Sequence, residues 1–319
     1  MNKKIIIFSG DPTSINSEII YKSWKKINQK LKKNIYIISN FNLLHDQFKK
    51  LNYKLNLIKV KNIFENENDS RLKIINIDLK FTNPFKISKQ ASSKFVINSL
   101  NYAHKIALQK NIKGFINCPI NKNLLNKSKI GVTEYLASKC NITDNSEVML
   151  ITNKKLSVSP ITTHIDIKEV SKKIKTILII KKIKTIESWF KINFKRKPKI
   201  CILGLNPHNA ELRKNSEENK IIIPAIKKLK KIGIILKGPL AADTIFIEEY
   251  KKFDVIIGMF HDQVIAPYKT LFKFDAINIT LGLKYLRVSP DHGVAQDLIG
   301  KNKADETSLI KCIYFVNKF

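Results

Sequence analysis

The sequence predicts an α/β protein with a largely parallel sheet, divided into two domains. Three observations carry this reading. Short continuous apolar runs rich in β-branched residues recur at 4–9, 34–39, 114–117, 199–205 and 255–260, as in strands covered on both faces. Segments whose apolar residues fall at helical spacing stand between these runs, and that alternation favours parallel βαβ units. The length of 319 residues suits one large or two medium domains.

Residues 4–9 form the first strand, and Gly10-Asp11-Pro12 breaks it. Ser17 and Glu18 open a helix in which Ile19, Ile20, Trp24, Ile27 and Leu31 share one face. Residues 34–39 give the next strand. Ser88 caps a helix carrying Phe95, Val96, Leu100, Ala103 and Ala107, and the strand 114–117 then runs into Cys118-Pro119. Residues 147–153 and 156–163 read as a hairpin through the polar turn at Asn153 and Lys154. Helical patterns fill 166–194. The strand 199–205 ends at Asn206-Pro207-His208, a helix covers 217–231, and a strand-like piece precedes Gly238-Pro239. After the strand 255–260, a helix at 307–317 closes the chain. Parallel elements at both ends with a hairpin between them give a discontinuous first domain, 1–125 plus 245–319, and a second domain, 126–244.

The formal charge is +32, from 58 Lys and Arg against 26 Asp and Glu. Such a charge can serve nucleic acid. Here, however, arginine occurs only at 71, 196, 213 and 287, and the lysines are scattered over helix faces. Nucleic-acid sites favour clustered Arg with interleaved aromatics, so no nucleic-acid partner is expected. The general positive field still attracts a phosphorylated small molecule. Four cysteines, at 118, 140, 201 and 312, show no CxxC spacing. Cys118 and Cys201 read as core residues, and a reduced cytoplasmic setting follows. No stretch approaches the roughly 20 apolar residues that span a bilayer, so no membrane partner is expected.

The chemistry concentrates in 254–301. His261-Asp262-Gln263 follows a strand directly. His164 ends the run 158–163, and His208 lies just beyond the strand 199–205. In open α/β sheets ligands bind beyond the carboxyl ends of strands, and three imidazoles delivered there suit one divalent ion with positions left open. Such a set accepts zinc, cobalt, manganese or magnesium. Taken singly, each is a satisfied loop histidine; His45 and His104 lie in helical patterns and read as structural. Lys269 and Arg287 suit phosphate or carboxylate, and Arg287 stands in an apolar strand-like context, LKYLRVSP. Lys269 and Asp262 are the candidate catalytic residues. Asp291-His292-Gly293 precedes a helical stretch, where glycine allows close backbone approach and a helix N-terminus favours anions. No GxGxxG or Walker sequence is present.

The segments GDPTSINSEI (10–19), CPINKNLL (118–125), GVTEYLA (131–137), TTHIDIKEV (162–170), GLNPHNAE (204–211), GPLAADTIF (238–246) and most of 254–301 together resemble the 4-hydroxythreonine-4-phosphate dehydrogenases of vitamin B6 biosynthesis. The resemblance runs nearly end to end. It implies a two-domain fold like isocitrate and isopropylmalate dehydrogenases, with the active-site cleft between domains, and a homodimer whose shared sites draw ligands from both subunits through the second domain. It implies metal ligation by His164, His208 and His261, and substrate binding by Thr133, Lys269, Asn278 and Arg287. It places His292 and Gly293 at the adenosine end of NAD. The implied reaction is oxidation of 4-phosphooxy-L-threonine at its C3 hydroxyl, with decarboxylation to 3-amino-2-oxopropyl phosphate. Val132 stands where the family has His, which leaves room for another 4-phosphorylated four-carbon acid as substrate. Ser14, Asn16 and Ser17 replace two glycines and a proline, and NAELRKNSEEN replaces a glycine-rich run after NPH.

Overall fold

A computed structural model describes residues 3–125 and 131–319. The chain divides into two compact units, Met1–Leu136 with Lys284–Phe319, and Ala137–Leu283.

In the first unit, β1 (Lys4–Phe8), β2 (Ile35–Ser39), β3 (Leu57–Val60), β4 (Leu72–Asn76) and β5 (Ile112–Asn117) are joined by β12 (Arg287–Pro290) in the order β3-β4-β2-β1-β5-β12. Every pairing is parallel. Ile5, Ile6, Phe8, Ile35, Tyr36 and Ile37 are fully buried, because helices cover both faces of such a sheet. Ser88 accepts the amide of Ala91 and caps the helix Lys89–Ala107. The cap satisfies one of the donors that a helix start leaves open. The loop after β1 is held by side chains. Ser14 Oγ donates to the Asp11 carbonyl at 2.6 Å, and Asn16 Nδ2 donates to the Pro119 carbonyl at 2.8 Å. Gly10 itself is required: its φ is +77°, and a Cβ there would lie 2.4 Å from the Pro119 oxygen.

In the second unit, β6 (Val148–Thr152), β7 (Ser157–Pro160), β8 (Ile200–Leu203), β9 (Leu236–Leu240), β10 (Val255–Gly258) and β11 (Ile277–Leu281) run in the order β11-β6-β7-β10-β8-β9. The expected hairpin is β6 and β7, and β11 adds a second antiparallel pair. β7, β10, β8 and β9 are mutually parallel, so their carboxyl ends share one edge. The helix Thr176–Phe194 buries Ile179, Ile183, Ile186 and Phe190, a single stripe at helical spacing.

Two expectations are corrected. Residues 245–283 belong to the second unit, not the first, because β10 pairs with β7 and β8 while β11 pairs with β6. The first junction likewise lies at 136–137 rather than 125–126. The helix expected after Gly293 is reduced to one 3-10 turn, Gln296–Leu298. Ala295 before it has φ +45° and Gly300 after it has φ +75°, and residues in that region do not continue a right-handed helix. No anion-binding helix N-terminus exists there.

The segment after Asn206-Pro207 follows a left-handed path. His208, Asn209, Ala210, Glu211 and Leu212 have φ of 48°, 57°, 50°, 48° and 55°. Each non-glycine residue held this way costs about 1–2 kcal/mol. Ala210→Gly is therefore expected to raise stability by about 1 kcal/mol, or roughly 2–4 °C in Tm, after the extra freedom glycine gives the unfolded chain. A thermal melt that moves down instead would refute the left-handed path.

Candidate active site

The second unit delivers His164, His208 and His261 to the shared carboxyl edge of β7, β8 and β10. One polar chain ties the three strand ends together. Thr162 Oγ1 donates to the Met259 carbonyl at 2.7 Å. The Met259 amide donates to Gln263 Oε1 at 2.6 Å, and Gln263 Nε2 donates to the Gly204 carbonyl at 2.7 Å. Gly258 leaves room for this, since a Cβ there would press on Val264 at 2.6 Å and Gln263 at 3.0 Å.

The rings of His164 and His261 lie 5.8 Å apart between centroids, tilted by 37°. His261 Nδ1 is 2.6 Å from Asp262 Oδ1, a contact that fixes which ring nitrogen carries the proton. His208 sits apart from that pair's contacts: its Nε2 is 3.6 Å from Asp243 Oδ2 and its side chain is 72% exposed. Among the described residues of one chain, no group of three His, Cys, Asp or Glu side chains converges on a metal position. The chain thus brings two of the three imidazoles together.

Buried Glu218 holds the loop that carries His208. Its Oε1 accepts the amides of Leu205 and Asn206 at 2.8 Å each, and Asn206 Nδ2 lies 3.1 Å from Oε2. Burial raises its pKa, but the hydrogen bonds from Asn206 and Leu205 outweigh that and hold the carboxyl below its ordinary 4.5. A depressed carboxyl stabilises the fold above the unfolded-state value, and the contribution is lost as pH falls through the folded value. Glu218→Gln should cost about 1 kcal/mol at neutral pH and flatten the acid limb of stability. Urea unfolding from pH 3 to 7 checks this; an unchanged acid limb contradicts it.

Lys269 and Asn278 lie in the same unit. Lys269 Nζ stands 5.2 Å over the Phe274 ring. Asn278, on β11 opposite Ile151, has a buried Oδ1 with no hydrogen-bond partner among the described residues. A buried polar atom left so is unfavourable.

The first unit holds Arg287, Thr133, His292 and Gly293. Arg287 is 3% exposed. Its Nε donates to Asn117 Oδ1 at 2.6 Å, and its Nη1 lies 3.5 Å from Thr133 Oγ1. Burial pushes its pKa down to about 10 against the opposing pull of Tyr285 and Glu134, so it stays charged at neutral pH. His292 Nδ1 contacts the Gly293 carbonyl at 3.0 Å. Gly293 has nothing within 4 Å of where a Cβ would stand, so its backbone can be approached closely. His104 pairs with the Tyr285 hydroxyl at 2.9 Å and His45 with Asp46, in keeping with structural roles. Sequence reading reaches Gln263 only within His261-Asp262-Gln263 and does not reach Asn117 or Glu218. Asn117 has the signal of a polar side chain ending an apolar run, and Glu218 has none of that kind.

Two α/β units with imidazoles at strand ends and a buried guanidinium define an α/β enzyme. The model of the family described as pyridoxal phosphate biosynthetic protein PdxA matches residues 30–316, and the chain belongs to that family. A 4-hydroxythreonine-4-phosphate dehydrogenase of Sulfurihydrogenibium sp. is 39% identical over 97% of this chain and 96% of its own length. A relative from Oceanobacillus iheyensis, provisionally named a D-threonate 4-phosphate dehydrogenase, is 32% identical over 98% of this chain and 97% of its own. The solved 4-hydroxythreonine-4-phosphate dehydrogenase of Klebsiella pneumoniae has a TM-score of 0.85, 26% identity, and coverage of 99% of this chain and 100% of that one. Isocitrate dehydrogenase from Methylococcus capsulatus shares the fold alone, with a TM-score of 0.52 and 11% identity over 100% of this chain and 85% of that one. The fold expected from the resemblance is thereby borne out.

Proposed function

We propose that the chain catalyses metal-dependent, NAD-linked oxidation of 4-phosphooxy-L-threonine, with decarboxylation to 3-amino-2-oxopropyl phosphate, in pyridoxal phosphate biosynthesis. The observation that carries this reading is Arg287: a guanidinium kept charged while buried, within reach of Asn117 and Thr133. Arg binds planar anionic groups bidentately, and desolvation strengthens that attraction. Thr133 beside it can donate to the same anion. Lys269 adds a second cation and Asn278 an amide for a substrate hydroxyl or amine.

His164 and His261 would hold a divalent metal, zinc, cobalt, manganese or magnesium. Their two rings fit such an ion in part, and we propose that ligands from two copies of the chain, His208 among them, complete the set. When bound, the metal would polarise the substrate oxygen and NAD would accept the hydride. Asp262 holds His261 in the tautomer that leaves Nε2 free, and the Thr162–Met259–Gln263–Gly204 chain fixes where the rings start. His292 and the open backbone at Gly293 fit the adenosine end of NAD. A homodimer with shared sites follows from the split ligand set. Four free, buried cysteines support a reducing, cytoplasmic setting.

A second reading has its own support. Val132 removes the polar group that the family places beside Thr133, and one relative is named for D-threonate 4-phosphate. Purified protein given NAD and a divalent metal should form NADH from 4-phosphooxy-L-threonine. NADH formed only from a 4-phosphorylated sugar acid would select the second reading, and turnover of neither would remove both.

A further inference from the structure

Residues 291–306 carry His292 and Gly293 between β12 and the closing helix, Thr307–Asn317. Apart from the 3-10 turn Gln296–Leu298, the stretch has no regular structure, and Ala295, Gly300 and Asn302 take φ of 45°, 75° and 55°. Its path is therefore set by what ties it down. One helix, Asn16–Lys26, ties it at both ends. Ile15, just before that helix, donates its amide to the Val294 carbonyl at 3.3 Å. Further along the helix, Glu18 and Lys22 hold 302–304. Lys22 Nζ donates to Glu18 Oε1 at 2.8 Å, to the Ala304 carbonyl at 2.9 Å and to the Asn302 carbonyl at 3.3 Å. The Ala304 amide donates to the same Glu18 oxygen at 2.6 Å. The Glu18 side chain is 1% exposed, and a carboxylate so buried persists only with such partners. Asp305 follows directly. The Thr307 hydroxyl and amide, and after them the His292 ring, hold its carboxyl below the ordinary range against the effect of burial, so His292 stands close to the anchored end.

We propose that Glu18 and Lys22 are positioning residues for the cofactor: they clamp 302–304 to the helix Asn16–Lys26 and so hold the irregular stretch before it in the shape that offers His292 and Gly293 to NAD. The proposal rests on the reading of His292 and Gly293 as residues of the NAD adenosine site and adds the pair that sets their backbone path. The two residues lie one helical turn apart with the acid first, the order that favours such a pair. Their shared contacts with Ala304 reach across more than 280 positions of sequence. A clamp of this kind acts on cofactor affinity, because it touches neither the imidazoles nor Arg287.

Lys22→Met keeps the apolar stem and deletes the donors. The double variant Glu18→Gln with Lys22→Met also removes the carboxylate charge, so no buried ion is stranded. Both, and His292→Ala, are titrated as full-length protein with NAD by calorimetry. They are also assayed with NAD, divalent metal and 4-phosphooxy-L-threonine, alongside thermal melts. Both clamp variants are expected to weaken NAD binding roughly tenfold, while KM for the phosphorylated substrate stays within about twofold of the parent. A pair that serves only the fold would lower Tm and leave the NAD Kd of the folded protein unchanged, and that overturns the proposal when His292→Ala itself weakens NAD. Equal worsening of NAD Kd and substrate KM also overturns it, since the effect is then not confined to the cofactor side. If His292→Ala leaves the NAD Kd unchanged, the reading of His292 as a cofactor-side residue fails first, and this inference falls with it.

Discussion

Arg287→Met is expected to lower kcat/KM by about 10²–10³-fold, mostly through KM, with the fold intact. Losing one partner of a desolvated, hydrogen-bonded charge contact weakens binding by roughly 2–5 kcal/mol, which is the scale of that loss. Stability should move little. The variant removes a buried charge, which is favourable, but leaves Asn117 Oδ1 without the donor that now sits 2.6 Å away, which is unfavourable by about 1–3 kcal/mol. Arg287→Lys should recover only part of the activity, because an ammonium cannot reproduce the planar fork. Steady-state kinetics with each variant, paired with thermal melts, decide the matter. A kcat/KM within threefold of the parent would show that Arg287 serves the fold and not the substrate.

The sequence made the strands that position the site legible, because they are the apolar ones. Residues such as Ile5 to Phe8 and Val255 to Ile257 are fully buried, so their runs are unbroken and their ends are sharp. The closing helix, Thr307–Asn317, and the β6–β7 hairpin were equally plain, one from its 3.6 period and the other from its polar turn. β3 and β4 were harder to see. β3 is a half-exposed edge with a mixed pattern, and β4 carries Lys73 as its second residue. That lysine is fully buried, donates to the carbonyls of Lys33 and Asp69, and lies 4.6 Å over the Tyr36 ring; a lysine one residue into a five-residue strand breaks up the apolar run. The domain junction near 284 was hidden for another reason. Pairing between β11 and β6 joins residues more than 120 positions apart, and local sequence does not encode partners.

For the site, placement was legible and contact was not. That His164, His208 and His261 each follow a strand could be read directly; that two rings meet while the third pairs with Asp243 could not. Asn117 is 170 positions from the arginine it holds. Gln263 was in view beside His261, yet its bond to Gly204 spans 59 positions. Both show how the groups that aim a functional side chain come from elsewhere in the fold, so residue-type reasoning finds the functional atom more easily than its support.

His261→Ala is expected to abolish retention of a divalent metal and to lower kcat by about 10³-fold. The His164 and His261 rings lie 5.8 Å apart, so removing one leaves a single imidazole where the chain offered two. One neutral nitrogen donor holds a divalent ion weakly against water, and a structural or catalytic ion needs three or four protein ligands. Asp262→Asn tests the same pair at one remove. It keeps a side chain of equal size 2.6 Å from His261 Nδ1 but weakens the acceptor that sets the ring's tautomer, so metal affinity should fall only about 10–100-fold. His45→Ala, altering an exposed helix histidine beside Asp46, should change neither. Elemental analysis of the purified variants and titration of chelator-treated protein with cobalt, read by visible absorption, give the ordering. If His261→Ala binds cobalt as tightly as the parent, the imidazole pair is not a metal site and the proposed reaction loses its Lewis acid.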